Sequence, residues 1–212
     1  MSSSSLQKIL ILAPHADDGE FGCGASLKRF SQEGHELFYA AFSPCTISMP
    51  EGSKEYQLYE ELKKAVAHLG IDSDHIRTFD FPVRNFPEYR QAILDELILL
   101  RNEINPSLVL VPNSDDVHQD HHTIFNEAKR AFKYASLLGY ELPWNNQQFK
   151  STYFVKIEES HLDAKMKAIS EYKSQSFRPY MNKDFFTGLA KVRGIQANTE
   201  LAEAFEVIKL IN

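Results

Sequence analysis

Five times along this chain a short apolar run gives way to a stretch with helical periodicity, and that alternation restricts the fold more than any other feature. The runs expected to be strands cover 8–13, 36–42, 76–81, 108–112 and 152–157, with a sixth over 205–210. The stretches expected to be helices cover 22–33, 54–69, 89–104, 123–138 and 161–175. In the third of these, Ile93, Leu97, Leu100 and Ile104 recur at three- and four-residue spacing, which is one helix face. Stop signals follow four of the helices: Gly34, Gly70, Asn105-Pro106 and Gly139. Alternation of this kind specifies an α/β chain with a mainly parallel sheet flanked by helices, a Rossmann-like three-layer fold. Such sheets place their sites beyond the carboxyl ends of strands.

The chain has 212 residues, of which 43% are hydrophobic and 25% charged, enough apolar material for one domain over 1–212 with a serine-rich leader over 1–6. A formal charge of −6 argues against general nucleic-acid binding, which needs a basic face. No apolar stretch approaches the length of a membrane span, and the first residues lack the basic and apolar regions of a signal peptide. Cys23 and Cys45 are too few for a disulfide framework, so the expected compartment is the reducing cytoplasm. Homo-oligomer formation is left open by the sequence.

Two polar clusters stand where the fold would put a site. Ala13-Pro14-His15-Ala16-Asp17-Asp18-Gly19-Glu20-Phe21 follows the apolar run Ile9-Leu10-Ile11-Leu12, so an imidazole and carboxylates emerge at a strand end. Charge there is unfavourable unless a metal or partner charge compensates it. Imidazole and carboxylate suit zinc, which in catalytic sites takes three protein ligands and keeps one open position. Of two adjacent carboxylates, one can ligate while the other acts as general base. The competing reading is that Asp17 and Asp18 merely cap the next helix.

The second cluster, Asp115-Asp116-Val117-His118-Gln119-Asp120-His121-His122, follows Leu108-Val109-Leu110-Val111-Pro112. His118 and His121 are three apart and share a helix face, so one can bind metal while the other faces substrate. His122 points elsewhere and is expected to be structural or supporting. The remaining histidines, His35, His68, His75 and His161, sit in ordinary surroundings. A dinucleotide fingerprint fails: Gly22-Cys23-Gly24-Ala25-Ser26-Leu27 lacks its third glycine, and no acid ends the second strand.

His15-x-Asp17-Asp18 with Glu20 behind it, paired with His118-x-Asp120-His121, resembles the PIG-L/LmbE-type zinc de-N-acetylases. Tyr172-Lys173-Ser174-Gln175, Arg193-Gly194 and Ala202-Glu203-Ala204-Phe205 look like the late segments of bacterial members. The resemblance implies that His15, Asp18 and His121 bind zinc, with iron(II) as the alternative metal. It implies Asp17 as the base, His118 as the group that stabilises the oxyanion and protonates the amine, and Asp120 as its orienting or tuning partner. Ala16 and Gln119 stand where the family commonly has proline, and the family's arginine- and glycine-rich loop is not evident in Ser43-Pro44-Cys45-Thr46-Ile47-Ser48. The substrate expected is an N-acetylated sugar, sugar nucleotide or glycan intermediate, which loses acetate.

Arg84, Arg193 and Asp116 are the expected substrate contacts, since an arginine fork suits a phosphate or carboxylate. Two other classes stay open: a two-metal phosphoester hydrolase and a non-catalytic carbohydrate- or metal-binding module.

Overall fold

Alternate residues of the two longest parallel strands divide into two cores. The computed structural model describes residues 6–50, 52–54 and 56–211, so of the expected leader only Leu6 falls within it. On β1 (Lys8–His15), Ile9, Ile11 and Ala13 face one core, and Leu10 and Leu12 face the other. On β2 (Glu36–Ser43), Leu37, Tyr39 and Ala41 join the first core, and Phe38, Ala40 and Phe42 join the second. Strands buried on both faces are what a central parallel sheet requires.

Five further strands complete the sheet among the described residues: β3 (Ile76–Thr78), β4 (Leu108–Pro112), β5 (Ser136–Tyr140), β6 (Tyr153–Ile157) and β7 (Leu201–Lys209). Their order is β3-β2-β1-β4-β5-β7-β6, with β1 to β5 parallel and β7 antiparallel to both neighbours. Four helices cover the first core: α1 (Asp18–Gln32), α2 (Gln57–Leu69), α5 (Glu159–Ser170) and α6 (Lys183–Gln196). The second lies under α3 (Phe86–Ile104) and α4 (Gln119–Ala131). The three-layer α/β arrangement is therefore as the sequence predicts. β1 pairs with β2 on one side and β4 on the other, which puts the switch in strand order between β1 and β4. Both polar clusters leave the sheet there.

Several boundaries differ from the sequence reading: α1 starts at Asp18 rather than 22, α4 starts at Gln119 rather than 123, and α5 ends at Ser170 rather than 175. The helix expected over 123–138 ends at Ala131, and β5 takes up Ser136–Tyr140. Gly139 is no helix stop but a strand residue whose Cβ would lie 2.8 Å from the Asn113 Cα. The strand expected over 76–81 is regular only to Thr78, although the Phe79 and Phe81 amides still donate to β2 carbonyls. The last strand starts at Leu201 rather than 205, and α6 is an additional helix, buried through Phe186, Ala190 and Gly194 at four-residue spacing.

α1 bends at Cys23, which leaves helical geometry at φ −145°, ψ 19°. The bend frees backbone donors inside the protein, and such donors need acceptors. Glu203 of β7 supplies them, accepting from Ala25 N (3.3 Å) and Ser26 N (2.6 Å) while Lys165 Nζ stands 2.6 Å from its Oε1. Just before the bend Gly22 packs against the Tyr140 ring, where a Cβ would collide. Removing one member of a buried ion pair strands the other, so Glu203→Ala should destabilise the fold by about 3 kcal/mol in urea titrations.

Candidate metal centre

Asp18 begins α1 immediately beyond β1, and its Oδ2 accepts from the His15 amide at 2.8 Å. Asp17 occupies the N-cap position, but its side chain makes no capping hydrogen bond. The cap reading of the two aspartates therefore fails locally, and both carboxyls face a cleft instead.

Three donor atoms close a triangle. Asp18 Oδ2 lies 3.2 Å from His15 Nδ1 and 3.2 Å from His121 Nε2, and the two imidazole nitrogens are 3.1 Å apart. A tetrahedral zinc ion with ligands at about 2.0 Å has ligand–ligand edges of about 3.3 Å, so the donor set fits the ion in type and in size. His15, His118 and His121 also offer nitrogens that all lie within 4.8 Å of one another.

The far nitrogen of each triangle histidine is held by a carboxylate. His15 Nε2 is 3.1 Å from Asp120 Oδ2, and His121 Nδ1 is 2.7 Å from Asp116 Oδ2. Each pair fixes the ring proton on the outer nitrogen and leaves the inner lone pair for a metal. The Asp120 carboxyl thus bonds the His15 ring, while the residue's amide and charge still act on His118; its oxygens also accept from the Arg84 and Phe86 amides at 2.6 and 3.2 Å. Asp116 is not a substrate contact: it is buried, with its carboxyl spent on His121, the His118 amide and Asn145. Asp116→Asn should accordingly weaken zinc about 10- to 100-fold in a competition titration, whereas a substrate contact would move KM alone.

His118 caps α4, with Nδ1 accepting from the Asp120 amide at 3.2 Å. That assigns its proton to Nε2, which makes it a neutral donor. Burial, then the neighbouring His121 and His15, push its pKa down to about 4. His122 is exposed, 6.4 Å from the Phe125 ring, and its amide donates to the His118 carbonyl at 2.9 Å.

The carboxyls are split in opposite directions. Burial and the charge of Asp18 push Asp17 up to about 6, against the pull of Arg178 and His15. Burial opposes ionisation of Asp18 too, but His121 and His15 hold it well below the usual carboxylate range. Asp18 and Asp116 overcome burial at His121 and raise it to about 10. Behind them, burial raises Glu20 to about 8 against the hydrogen bonds of two tyrosines. The Tyr39 and Tyr172 hydroxyls each reach a Glu20 oxygen (2.5 and 2.6 Å) and the Ala16 carbonyl (2.9 and 2.8 Å). This clasp fixes the turn that carries Asp17.

The cleft has a volume of about 330 Å³, at the lower end of small-molecule sites. Arg84 lines it; Arg193 does not. Arg193 is held by Glu141 at 2.5 and 3.0 Å, beside a small internal void near Gly22. The sequence reading missed Trp144, Phe177, Arg178 and Tyr180, which also line the cleft. A signal existed: the single tryptophan and the run Phe177-Arg178-Pro179-Tyr180 fall outside every periodic stretch, where large side chains have no core to fill.

The PIG-L family profile, described as GlcNAc-PI de-N-acetylase, matches residues 10–132. The uncharacterized deacetylase YaiS of Escherichia coli K12 is 28% identical over 187 residues, covering 82% of this chain and 95% of that protein. Among solved structures, the conserved protein TT1542 from Thermus thermophilus is similar with a TM-score of 0.79 at 24% identity, covering 98% and 97% of the two chains. GalB, the 4-carboxy-2-hydroxymuconate hydratase of Pseudomonas putida KT2440, is similar with a TM-score of 0.77 at 18% identity over 98% of each chain. The fold alone therefore does not fix the reaction. The profile spans more than half of the chain, including both halves of the donor triangle, and the chain belongs to the PIG-L (GlcNAc-PI de-N-acetylase) family.

Proposed function

We propose that the protein is a zinc-dependent deacetylase that hydrolyses the acetamido group of an amino-sugar compound to free amine and acetate. The observation that carries this is the triangle of His15, Asp18 and His121 donors with Asp17 beside it, engaged in no corner of it. Membership of a family described as de-N-acetylases supports the reaction class. Held by the triangle, zinc supplies a Lewis acid that polarises the acetamide carbonyl and acidifies the attacking water.

Asp17 takes the proton of that water, because it is ionised above pH 6 and lies at the cleft. His118 donates from Nε2 to the carbonyl oxygen as that oxygen becomes negative. Being neutral, His118 has no spare proton for the leaving amine; Asp17, protonated in the first step, returns it. This revises the expectation that His118 protonates the amine. The remaining acids speak against a two-metal phosphoester enzyme, since Asp116 and Asp120 are committed to the histidine rings. A binding module has no use for Asp17, whose buried carboxyl is held partly protonated near neutrality.

The test is amine release from N-acetylated monosaccharides, sugar nucleotides and glycan intermediates, with and without chelator. Chelator-sensitive release is expected; none from any of them sinks the reading. The pH profile follows from Asp17. Its base form is lost as pH falls through its pKa, about 6 in the metal-free protein, so kcat/KM should drop about tenfold per unit on the acid side of that pKa. Cations bound beside it favour the ionised form, so the midpoint should lie lower in the zinc-loaded enzyme.

A further inference from the structure

Arg29, Arg77, Arg90, Arg130 and Arg193 each hold a carboxylate. Arg84, Arg101 and Arg178 hold none among the described residues; Arg101 bonds the Asn102 side chain and the Ala131 carbonyl, whereas Arg84 and Arg178 both line the metal cleft. In a chain of net charge −6, two guanidinium groups without a carboxylate on one cavity are a departure from the pattern of the surface.

Both are anchored by other means. Arg84 has φ +70°, in the left-handed region that favours glycine. Its amide donates to Asp120 Oδ2 and its carbonyl accepts from the Gln119 side chain, so the second cluster clamps its backbone. Glycine would suit that backbone better, so the arginine side chain has a use of its own. Arg178 Nε donates to Gln175 Oε1 at 2.6 Å, and its guanidinium carbon lies 5.8 Å from the centre of the Tyr180 ring. Gln175 is buried, and its neighbour Ser174 is tied to Glu61 through both amide and hydroxyl. A guanidinium has five donors, so N–H groups remain for a ligand. Arg178 is near enough to Asp17 for its charge to be felt there, which places it at the reacting end of the cleft.

We propose that Arg84 and Arg178 form an anion subsite, with Arg178 the specificity-determining residue, so that the acetylated substrate carries a phosphate or carboxylate group beyond its acetamido ring. This rests on the deacetylase reading. Forked hydrogen bonds to an anion are the strongest that a side chain makes.

The experiment uses zinc-loaded protein and three probes: N-acetylglucosamine 1-phosphate, the N-acetylglucosaminide of glycolic acid, and methyl N-acetylglucosaminide. Amine release and calorimetric binding are measured for wild type, Arg84→Ala, Arg178→Ala and Arg178→Lys. The expected result is that one anionic probe exceeds the methyl glycoside by about 10- to 100-fold in kcat/KM, expressed in KM. The ratio should collapse towards one in both alanine variants and survive in part in Arg178→Lys. The better of the two anionic probes identifies the group as phosphate or carboxylate. Turnover of all three probes at equal kcat/KM overturns the subsite while the deacetylase reading stands. So does a preference that survives both alanine variants, or an Arg178→Ala effect confined to the pH profile, which would make the residue a tuner of Asp17. Tighter binding of an anionic probe without turnover of any supports the subsite and counts against the deacetylase reading. Equal binding without turnover overturns the subsite as well.

Discussion

Asp17→Asn should lower kcat by about 10³-fold and leave the zinc content of the purified protein unchanged. Asparagine keeps the shape of the side chain and loses only its ability to accept a proton, so the deficit measures general-base catalysis. Zinc is retained because the donor triangle is complete without Asp17. Loss of metal along with activity would instead make Asp17 a ligand. Stability gives a second sign. A carboxyl raised from 3.8 to about 6 on folding binds its proton more tightly in the native state, so the fold loses stability as pH rises from about 4 through about 6. Asp17→Asn should therefore raise the Tm of the zinc-free protein at pH 8 and change it less at pH 4, where the native carboxyl is already protonated.

His121→Ala should abolish both zinc binding and turnover. The substitution takes away one corner of the triangle and strands two buried carboxyls, since Asp116 and Asp18 both face that ring. Zinc bound only by the native state stabilises it by an amount that grows with the logarithm of the zinc concentration. Wild type should show the resulting rise in Tm and His121→Ala should show none, with a metal-free Tm already lowered by about 3 kcal/mol of lost stability. A variant that still gains stability from zinc would mean that His118 can complete the set, as its nitrogen is close enough to do.

The strand ends that carry the site were legible because charge follows directly on an apolar run, a juxtaposition that few folds tolerate without a purpose. The boundary between α4 and β5 was not. Ala128, Phe132 and Ala135 continue a helical spacing past Ala131, and Leu137-Leu138 reads equally well as helix or strand. Asp116 and Asp120 were recognised as part of the cluster, but the histidine ring that each carboxyl bonds was not. Adjacency in sequence favoured Asp120 for His118, whereas the first turn of α4 turns its carboxyl across the cleft to His15, 105 residues away. Arg178 and Tyr180 come from an irregular segment, and no periodicity connects such a segment to a strand end on the far side of the chain.

The bend of α1 ties the start of the chain to its end. Glu203 reaches Ala25 across 178 residues of sequence, and Tyr172 reaches Ala16 across 156. Contacts of such span form late, because a long loop must close before they contribute. During synthesis on a ribosome the residues of the first cluster emerge early, yet the supports that shape their turn are made about 150 residues later. A nascent chain cut short before β7 would carry both polar clusters without the acceptor that Glu203 gives to the bend of α1.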